Sequence, residues 1–494
     1  MSEKVKIGWA SCDITPSGAV SLLGQFRLRI ATRVNDPLTV TALALESAGN
    51  QAVLVSMDLC IVYEEVVAGS RNALRERLPD LDPLKVMLNT THTHSAPHAG
   101  GRGLQNEEDY IEAIRIRYPD YTSVAEYTQM VIEAVVSAVC EAWENRREGF
   151  VAWGYSYAVV GENRRVRYFD DSARMYGSVA EPGFSHIEGH VDHGVNLLFT
   201  YDAARQLTGM VINLASPSQA SEGCEDYVSA DFWHDTRLEI RRRCGDGLYI
   251  LPQCSAAGDQ SPHRLLQAKA EERMLQLKYG GGSRSRQENF GLRRDIARRI
   301  ADAVQDAEPP VRQELHDQVP LMVERHELDL PHWNVTDEEH AALQEEMAEL
   351  RTRLAGMANV DPLDSDLTAA HSRLAWCQRA VDRYLKLLES VPIEMNVVRL
   401  GDIAFVTVPF EYYLDFADRI KGRSEALQTF VVQLAGTHLG DAPKGAGGGY
   451  LPTERAAIGL SYGAIPPSCL VPPEGGQLIV DEAVAAIKRM FAGG

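Results

Sequence analysis

Short apolar runs alternate along this chain with longer stretches in which apolar residues recur every three or four positions. The apolar runs predict strands at 52–57, 86–88, 195–200, 210–214, 248–251, 403–408 and 430–434. The longer stretches predict helices at 127–145, 232–244, 292–307 and 480–491. An alternation of strands and helices is typical of α/β proteins. We therefore predict a large α/β domain in which mixed β-sheets are flanked by helices.

Segment 336–390 departs from this alternation. Thr336 and Glu339 have the spacing of a capping box, which predicts the start of a helix. Apolar residues follow at helical spacing, and beyond Asp361-Pro362 they recur every seven residues at positions 367, 374, 381 and 388. The pattern predicts an antiparallel helical hairpin, inserted within one catalytic domain that spans residues 1–494. Its apolar stripe packs either on its own chain or on a second subunit, which leaves a homo-oligomer as an open alternative.

The composition of the chain argues against some classes of binding partner. The chain has 494 residues, of which 45% are hydrophobic, enough to bury a sizeable core. Its net charge of −20 is poorly suited to a phosphate backbone, so we predict no nucleic-acid partner. Since no run of about 18 apolar residues occurs, we also predict no insertion into a membrane.

The cysteines and the first residues favour a cytoplasmic protein. The eight cysteines occur singly, without a CxxC pair, so the sequence indicates neither a zinc ribbon nor a disulfide framework. Residues 1–7 enter a strand-like pattern without the apolar core or the small-residue cleavage site of a signal peptide. We therefore expect reduced thiols in the cytoplasm.

Polar residues follow several of the predicted strands directly. Open α/β sheets place their sites beyond the carboxyl ends of the strands. The polar residues at these positions are Asp58, His92, Ser216, Ser261, Glu411 and His438. Ordinary loops also carry polar residues, so the pattern alone does not establish a site.

Residues 89–98, with the sequence NTTHTHSAPH, carry the most specific chemistry of the chain. His92 and His94 lie two residues apart after a predicted strand, and in an extended segment both side chains would point to one face. One metal ion, or a metal and a polarised water, could then meet both imidazoles. A structural pair of hydrogen-bonding histidines is the alternative.

This segment resembles the first metal-binding motif of the neutral, non-lysosomal ceramidases. Further segments resemble the same family in the same order: Gly8–Pro16, Asn35–Leu38, Asn163–Arg165, Gly258–His263, Val408–Glu411 and Gly449–Thr453. The resemblance covers roughly residues 1–330 and 395–494. It implies a zinc-dependent amidohydrolase that cleaves an N-acyl bond.

The resemblance also implies roles for individual residues. His92, Glu411 and Tyr450 would bind zinc, and His94 would lie close to the substrate. Tyr462 and Ser261 would lie near the scissile bond, and Arg164 would reach the substrate. Asp259 is an alternative to His94 for passing a proton to the leaving nitrogen.

A purely structural role is an alternative for these residues. Glu411 could be solvated at a strand end, Tyr450 could anchor packing beside the glycine-rich loop 445–449, and Arg164 could belong to a salt-bridged basic run. Ser261 is more plausible as a hydroxyl that positions the substrate than as a nucleophile, because no histidine–carboxylate pair adjoins it.

The sequence departs from the family pattern in two respects. Pro217 stands where the family has its second zinc histidine, and proline cannot bind zinc. The residues that could bind zinc in place of the missing histidine are His190, His193, Asp231, His234 and His263. The chain also has neither the signal peptide nor the C-terminal β-sandwich of the secreted ceramidases, which favours a small polar substrate over a long-chain sphingolipid.

We therefore predict a metal-dependent hydrolase that cleaves an amide bond in a small polar substrate. A carbohydrate-active hydrolase or lyase on the same scaffold is one alternative, and a metal-free binding protein is another. The sequence specifies neither the substrate nor the oligomeric state.

Overall fold

The structure is a computed structural model that describes residues 4–101, 110–223, 226–282, 290–386, 389–437, 439 and 448–492. Its first twelve strands are β1 (Lys6–Asp13), β2 (Val20–Ser21), β3 (Ile30–Ala31), β4 (Arg33–Val34), β5 (Thr39–Ser47), β6 (Asn50–Met57), β7 (Val86–Thr90), β8 (Arg147–Tyr157), β9 (Glu162–Asn163), β10 (Arg165–Tyr168), β11 (Ala173–Met175) and β12 (Phe184–Ile187). The remaining strands are β13 (Gly194–Asp202), β14 (Leu207–Leu214), β15 (Tyr227–Val228), β16 (Tyr249–Cys254), β17 (Gln260–Ser261), β18 (Leu321–Pro331), β19 (Ser390–Leu400), β20 (Ile403–Thr407), β21 (Phe410–Tyr412), β22 (Gln428–Val432) and β23 (Gly448–Leu451).

The helices are α1 (Glu64–Arg77), α2 (Ile111–Arg117), α3 (Val124–Glu144), α4 (Phe232–Cys244), α5 (Ala268–Tyr279), α6 (Gly291–Val311), α7 (Asp337–Gly356), α8 (Ser365–Leu385), α9 (Leu414–Arg423), α10 (Glu454–Gly459) and α11 (Pro473–Phe491). A short 3₁₀ turn, Pro83–Lys85, precedes β7. No helix among the described residues is both long and apolar enough to cross a bilayer.

Two large sheets organise these elements. One has eight strands in the order β16-β14-β13-β8-β1-β5-β6-β7, and the other has four in the order β18-β19-β20-β22. Neighbouring strands are mostly antiparallel, but the pairs β6/β7, β14/β16 and β20/β22 are parallel. The fold is thus α/β with mixed sheets flanked by helices, and the predicted fold class is confirmed.

The alternation of side chains along β5 explains how the layers stack. Val40, Ala42 and Ala44 face a core formed with α1 and α3. Leu43 and Leu45 point the other way, into a core shared with the four-stranded sheet. Because both faces are covered, residues 42–45 in the middle of β5 are apolar without a break. Helices α9 and α11 cover the far face of the four-stranded sheet, which gives four layers in all.

Helix α11 begins at Pro473, seven residues before the start that the apolar pattern predicts. Its first turns contain Gly476, where an added Cβ would lie 2.3 Å from the ring of Phe416 in α9. Glycine allows the two helices to approach at this point, but it also weakens the helical pattern in the sequence.

Helices α7 and α8 occupy the segment for which the sequence predicts a hairpin. The capping box of Thr336 and Glu339 is present at the start of α7. The apolar side chains between the helices, among them Met347 and Val381, form a cluster that includes Tyr462 of the main body. The stripe therefore packs on its own chain, and assembly through the hairpin stays a prediction.

A buried ion pair joins α1 to the four-stranded sheet. Glu394 in β19 is fully buried and accepts hydrogen bonds from Arg71 at 2.6 Å and from Arg325 at 2.6 Å. Burial alone would raise the pKa of Glu394, but the hydrogen bonds and charges of the two arginines outweigh it and lower the pKa to about 2. The folded protein therefore holds Glu394 ionised.

We expect this ion pair to make the free energy of unfolding depend on pH. The pKa of Glu394 is lower in the folded chain than the ordinary value of 4.5, so its stabilisation is complete above pH 4.5 and is lost as pH falls towards 2. A difference of this size corresponds to about 3 kcal/mol. The check is the free energy of unfolding from about pH 6 to about pH 3, for the wild type and for Glu394→Gln. The difference between the two curves should shrink as the pH falls, and a constant difference would contradict the assignment.

Candidate active site

The candidate site lies beyond the ends of β7 and β21. His92 follows β7 by two residues and has a left-handed backbone, with φ of 59°. Strands β21 and β23 are parallel and place Glu411 directly beside Tyr450. These pairings bring together the three side chains for which the sequence implies a metal-binding role.

His92 is buried and makes contacts through both ring nitrogens. Its Nδ1 lies 2.8 Å from the carbonyl oxygen of Cys60. Its Nε2 lies 3.4 Å from Oε2 of Glu411 and has no hydrogen-bond partner among the described residues. Burial lowers the pKa of His92, but the charges of Cys60 and Glu411 outweigh that effect and raise the pKa well above its usual value.

His94 lies edge-on to His92, with the ring centroids 5.0 Å apart. Its Nε2 is 2.8 Å from the side-chain nitrogen of Gln219, whereas its Nδ1 has no hydrogen-bond partner in the described part of the chain. Burial, reinforced by the charges of His92 and nearby arginines, lowers the pKa of His94 well below its usual value. His94 is therefore a neutral imidazole. Gly24 closes over it with φ of 106°, and an added Cβ would lie only 2.4 Å from the ring, so no larger residue fits there.

Arg164 is a buried cation that connects four parts of the site. Its Nη2 donates to the carbonyl oxygen of Gly258 at 2.9 Å and to the hydroxyl of Tyr450 at 3.3 Å. The same Nη2 lies 3.6 Å from Oε2 of Glu411, and Nη1 donates to the hydroxyl of Tyr176 at 3.2 Å. Arg164 thus balances the charge of Glu411 and fixes two phenols.

Tyr450 and Tyr462 lie ring edge to ring face, 5.2 Å apart. Burial raises the pKa of each phenol, and the charge of Glu411 acts in the same direction. Both phenols therefore keep their protons and can donate a hydrogen bond. On its other side Tyr462 meets the half-exposed Phe26 at 5.2 Å, which places Tyr462 between the buried site and the surface.

Ser261 is joined to Arg164 through a residue that the sequence did not indicate. The hydroxyl of Tyr176 donates to Oγ of Ser261 at 3.1 Å and accepts from Arg164. The Ser261 oxygen also accepts from the amide of His263 at 3.1 Å. This environment provides a positioned hydroxyl, in keeping with the interpretation of Ser261 as a positioning group.

Asp259 joins separate segments of the chain by accepting hydrogen bonds from them. Its Oδ2 accepts from Asn163 at 2.7 Å, and its Oδ1 accepts from the amide of Leu414 at the start of α9. Burial raises its pKa in spite of these hydrogen bonds. The contacts fix the loop that carries Ser261 to the segment that carries Arg164. A catalytic role for Asp259 stays a prediction.

Other strand-end residues and three of the five candidates for the missing histidine have partners elsewhere. Asp58 accepts two hydrogen bonds from Arg237, and Asp231 accepts from the amides of Ala220, Ser221 and Phe232. His190 pairs with Asp418, and His263 contacts the carbonyl oxygen of Gln219. Ser216 lies beside Pro217, and its carbonyl oxygen accepts from Cys254. His438 and residues 445–447 of the glycine-rich loop lie outside the described residues.

One group of side chains in the described part of the chain has the geometry to hold a metal ion. It consists of Cys60, His92 and His94, each with a ligand atom within 4.8 Å of the others. The unpartnered nitrogens of His92 and His94 fit this purpose, because buried polar atoms otherwise find hydrogen-bond partners. None of the five candidates for the missing histidine belongs to the group.

Three residues of the site, Cys60, Tyr176 and Gln219, were not predicted from the sequence. Cys60 follows a predicted strand by three residues, and this position is a signal that could have been used. Tyr176 and Gln219 lie in irregular segments, and their contacts with Arg164 and His94 arise from the packing of distant parts of the chain.

Neither protein-family models nor curated proteins match this sequence. Solved structures do match. Neutral ceramidase from Pseudomonas aeruginosa has a TM-score of 0.65 and 17% identity, over 99% of this chain and 75% of that one. A ceramidase complexed with C2 has a TM-score of 0.65 and 16% identity, over 99% of this chain and 76% of that one. The chain therefore has the fold of the neutral ceramidases, as the sequence resemblance implied.

Proposed function

We propose that this protein is a metal-dependent hydrolase that cleaves the amide bond of a small, polar N-acyl compound. The observation that carries the proposal is the convergence of His92, Glu411 and Tyr450, beside Arg164 and Tyr462, within the ceramidase fold. The sequence implies a functional role for each of these residues, and they come from segments far apart in the chain.

His92, Glu411 and Tyr450 would hold the ion. Nε2 of His92 lies 3.4 Å from a carboxylate oxygen of Glu411, and Tyr450 pairs with Glu411 across neighbouring strands. When bound, zinc lowers the pKa of a coordinated water to about 7 and polarises a carbonyl group.

The protein side chains would supply the remaining chemistry. Tyr462 keeps its proton and can donate a hydrogen bond to the oxygen on which charge develops. His94 would lie close to the substrate, and His94 or Asp259 would pass a proton to the leaving nitrogen. Arg164 and Ser261, joined through Tyr176, would position the polar part of the substrate.

One observation favours a second candidate, a metal-free binding protein. The guanidinium of Arg164 already lies 3.6 Å from Glu411 and 3.3 Å from Tyr450. A carboxylate balanced in this way has less need of an additional cation. Metal content separates the two candidates, because a binding protein of this kind would contain no ion even after zinc is offered.

The activity is tested with N-acetyl, N-butyryl and N-octanoyl derivatives of amino acids and amino alcohols, assayed for release of the free amine. We expect hydrolysis of the short-chain compounds by the zinc-loaded protein and its loss in chelator. Tyr462→Phe should lower kcat by about 10²–10³-fold, the usual effect of losing one oxyanion donor, with KM little changed. Tyr168→Phe is the matched control, because that hydroxyl donates to the carbonyl oxygen of Ser178 away from the site. An unaltered kcat in Tyr462→Phe would contradict its role, and no amine release from any compound by the zinc-loaded protein would contradict the proposed activity.

A further inference from the structure

Cys60 is a buried cysteine that lies beside both histidines of the site. Its Sγ and one ring nitrogen from each of His92 and His94 lie within 4.8 Å of one another. Zinc binds sulfur at about 2.3 Å and nitrogen at about 2.0–2.1 Å, so tetrahedral ligands of the two kinds lie about 3.5 Å apart. Movements of about 1 Å would therefore bring the three groups onto one ion.

The unpartnered ring nitrogens identify the atoms of the histidines that face this ion. Nδ1 of His92 lies 2.8 Å from the carbonyl oxygen of Cys60 and 3.7 Å from its Sγ. Nε2 lies 3.4 Å from Glu411 and has no hydrogen-bond partner among the described residues. For His94 the nitrogen without a hydrogen bond is Nδ1. A histidine that binds a metal normally donates its other ring N–H to a nearby acceptor, and His92 already has such an acceptor in Cys60.

Gln219 can supply the corresponding acceptor for His94. Its side-chain nitrogen lies 2.8 Å from Nε2 of His94, and its Oε1 has no hydrogen-bond partner within the described part of the chain. A 180° rotation of the amide exchanges oxygen and nitrogen at nearly unchanged positions. Nε2–H of His94 would then donate to Oε1, and the lone pair of Nδ1 would be available to a metal.

We propose that Cys60 binds the metal ion through its thiolate, together with Nε2 of His92 and Nδ1 of His94. A ligand set of one thiolate and two imidazoles suits zinc and cobalt, whereas magnesium and calcium prefer oxygen. Glu411, 3.4 Å from Nε2 of His92, is the adjacent carboxylate. This inference rests on the metal dependence proposed above and adds a sulfur ligand to it. Because it engages both ring nitrogens of His94, it assigns His94 to the metal in place of proton transfer, which then falls to Asp259.

The backbone around Cys60 allows a clean substitution. The carbonyl oxygen of Cys60 accepts from Oγ1 of Thr90 at 3.1 Å and contacts Nδ1 of His92 at 2.8 Å. Both contacts use the main chain, so Cys60→Ser keeps them and removes only the sulfur. Cys140→Ser is the matched control, since Cys140 is also buried but lies in α3, within the core beneath the eight-stranded sheet.

The experiment loads metal-free full-length protein with Co²⁺ and records near-ultraviolet absorbance and bound cobalt by equilibrium dialysis. We expect an intense sulfur-to-cobalt band in the wild type and in Cys140→Ser. In Cys60→Ser the band should disappear and the cobalt affinity should fall by at least about 10–100-fold, the effect of losing even an outer-shell partner. Thermal unfolding of the metal-free proteins checks that Cys60→Ser is folded.

X-ray absorption of the zinc-loaded wild type provides a second measurement that needs no variant. A sulfur shell at about 2.3 Å supports the proposal. A shell of nitrogen and oxygen alone, or full cobalt affinity in Cys60→Ser, overturns the thiolate ligand and leaves the metal-dependent hydrolase intact. Failure of the wild type to bind either Co²⁺ or Zn²⁺ overturns both proposals.

Discussion

Replacing His92 with alanine is expected to abolish metal retention while the protein remains folded. His92 offers a buried nitrogen that has no hydrogen-bond partner among the residues the structure describes, and it lies close to Cys60, His94 and Glu411. Loss of an outer-shell partner alone costs about 10–100-fold in metal affinity, and loss of a ligand should cost more. Mass spectrometry of the digested proteins should find about one zinc per chain in the wild type and almost none in the variant.

The left-handed backbone at position 92 complicates this comparison. Alanine at a φ of 59° costs about 1–2 kcal/mol, whereas asparagine tolerates this conformation well. His92→Asn should therefore lose the metal with a smaller loss of stability than His92→Ala. His98→Ala is the matched control, because His98 is buried in the same segment, against Tyr63, but lies outside the metal-binding group. Full zinc content in both His92 variants would contradict the assignment.

The strands that the sequence predicts are those buried on both faces. Segment 52–57 is apolar except for Ser56 because β6 contacts a core on each side. Strand β18 escaped prediction because four consecutive polar residues, Glu324–Glu327, interrupt its apolar pattern and are half-buried or exposed. Strand β8 escaped it as well, since Gly149 and Gly154 interrupt its apolar pattern. Periodicity thus reports burial, and elements that are half-exposed or rich in glycine escape it. The prediction also missed β5 and β19, although both are buried along most of their length.

In the candidate site, too, some residues could be predicted from the sequence and others could not. His92, Glu411 and Tyr450 stand in local motifs, so a resemblance in sequence could single them out. Their mutual placement depends on the parallel pairing of β21 with β23, which joins residues about forty positions apart in the chain. Cys60 and Tyr176 carry no local motif at all. Their relevance arises from distances to His92 and Arg164, and these distances exist only in the folded chain.

The ion pair of Arg164 and Glu411 affects both the stability of the folded protein and the chemistry of the site. The guanidinium of Arg164 lies 3.6 Å from Glu411, and burial deprives both groups of water. Truncating one partner of a buried ion pair leaves the other charge uncompensated, whereas removing both charges is often close to neutral. The same arginine fixes Tyr450 and Tyr176, so its removal should affect stability before it affects any single chemical step.

Arg164→Met is accordingly expected to lower the free energy of unfolding by about 3–5 kcal/mol in the presence of chelator, because Glu411 loses its guanidinium partner and only His92, 3.4 Å away, then offsets its buried charge. The double variant Arg164→Met/Glu411→Gln should recover much of that loss, since no net charge then remains at this position. Denaturant unfolding of the wild type, both single variants and the double variant completes the thermodynamic cycle. A double variant that loses the sum of the two single effects would show that Arg164 and Glu411 are not coupled. Zinc should restore part of the stability of Arg164→Met but little of that of the double variant, because the ion can balance Glu411 only where its carboxylate is present.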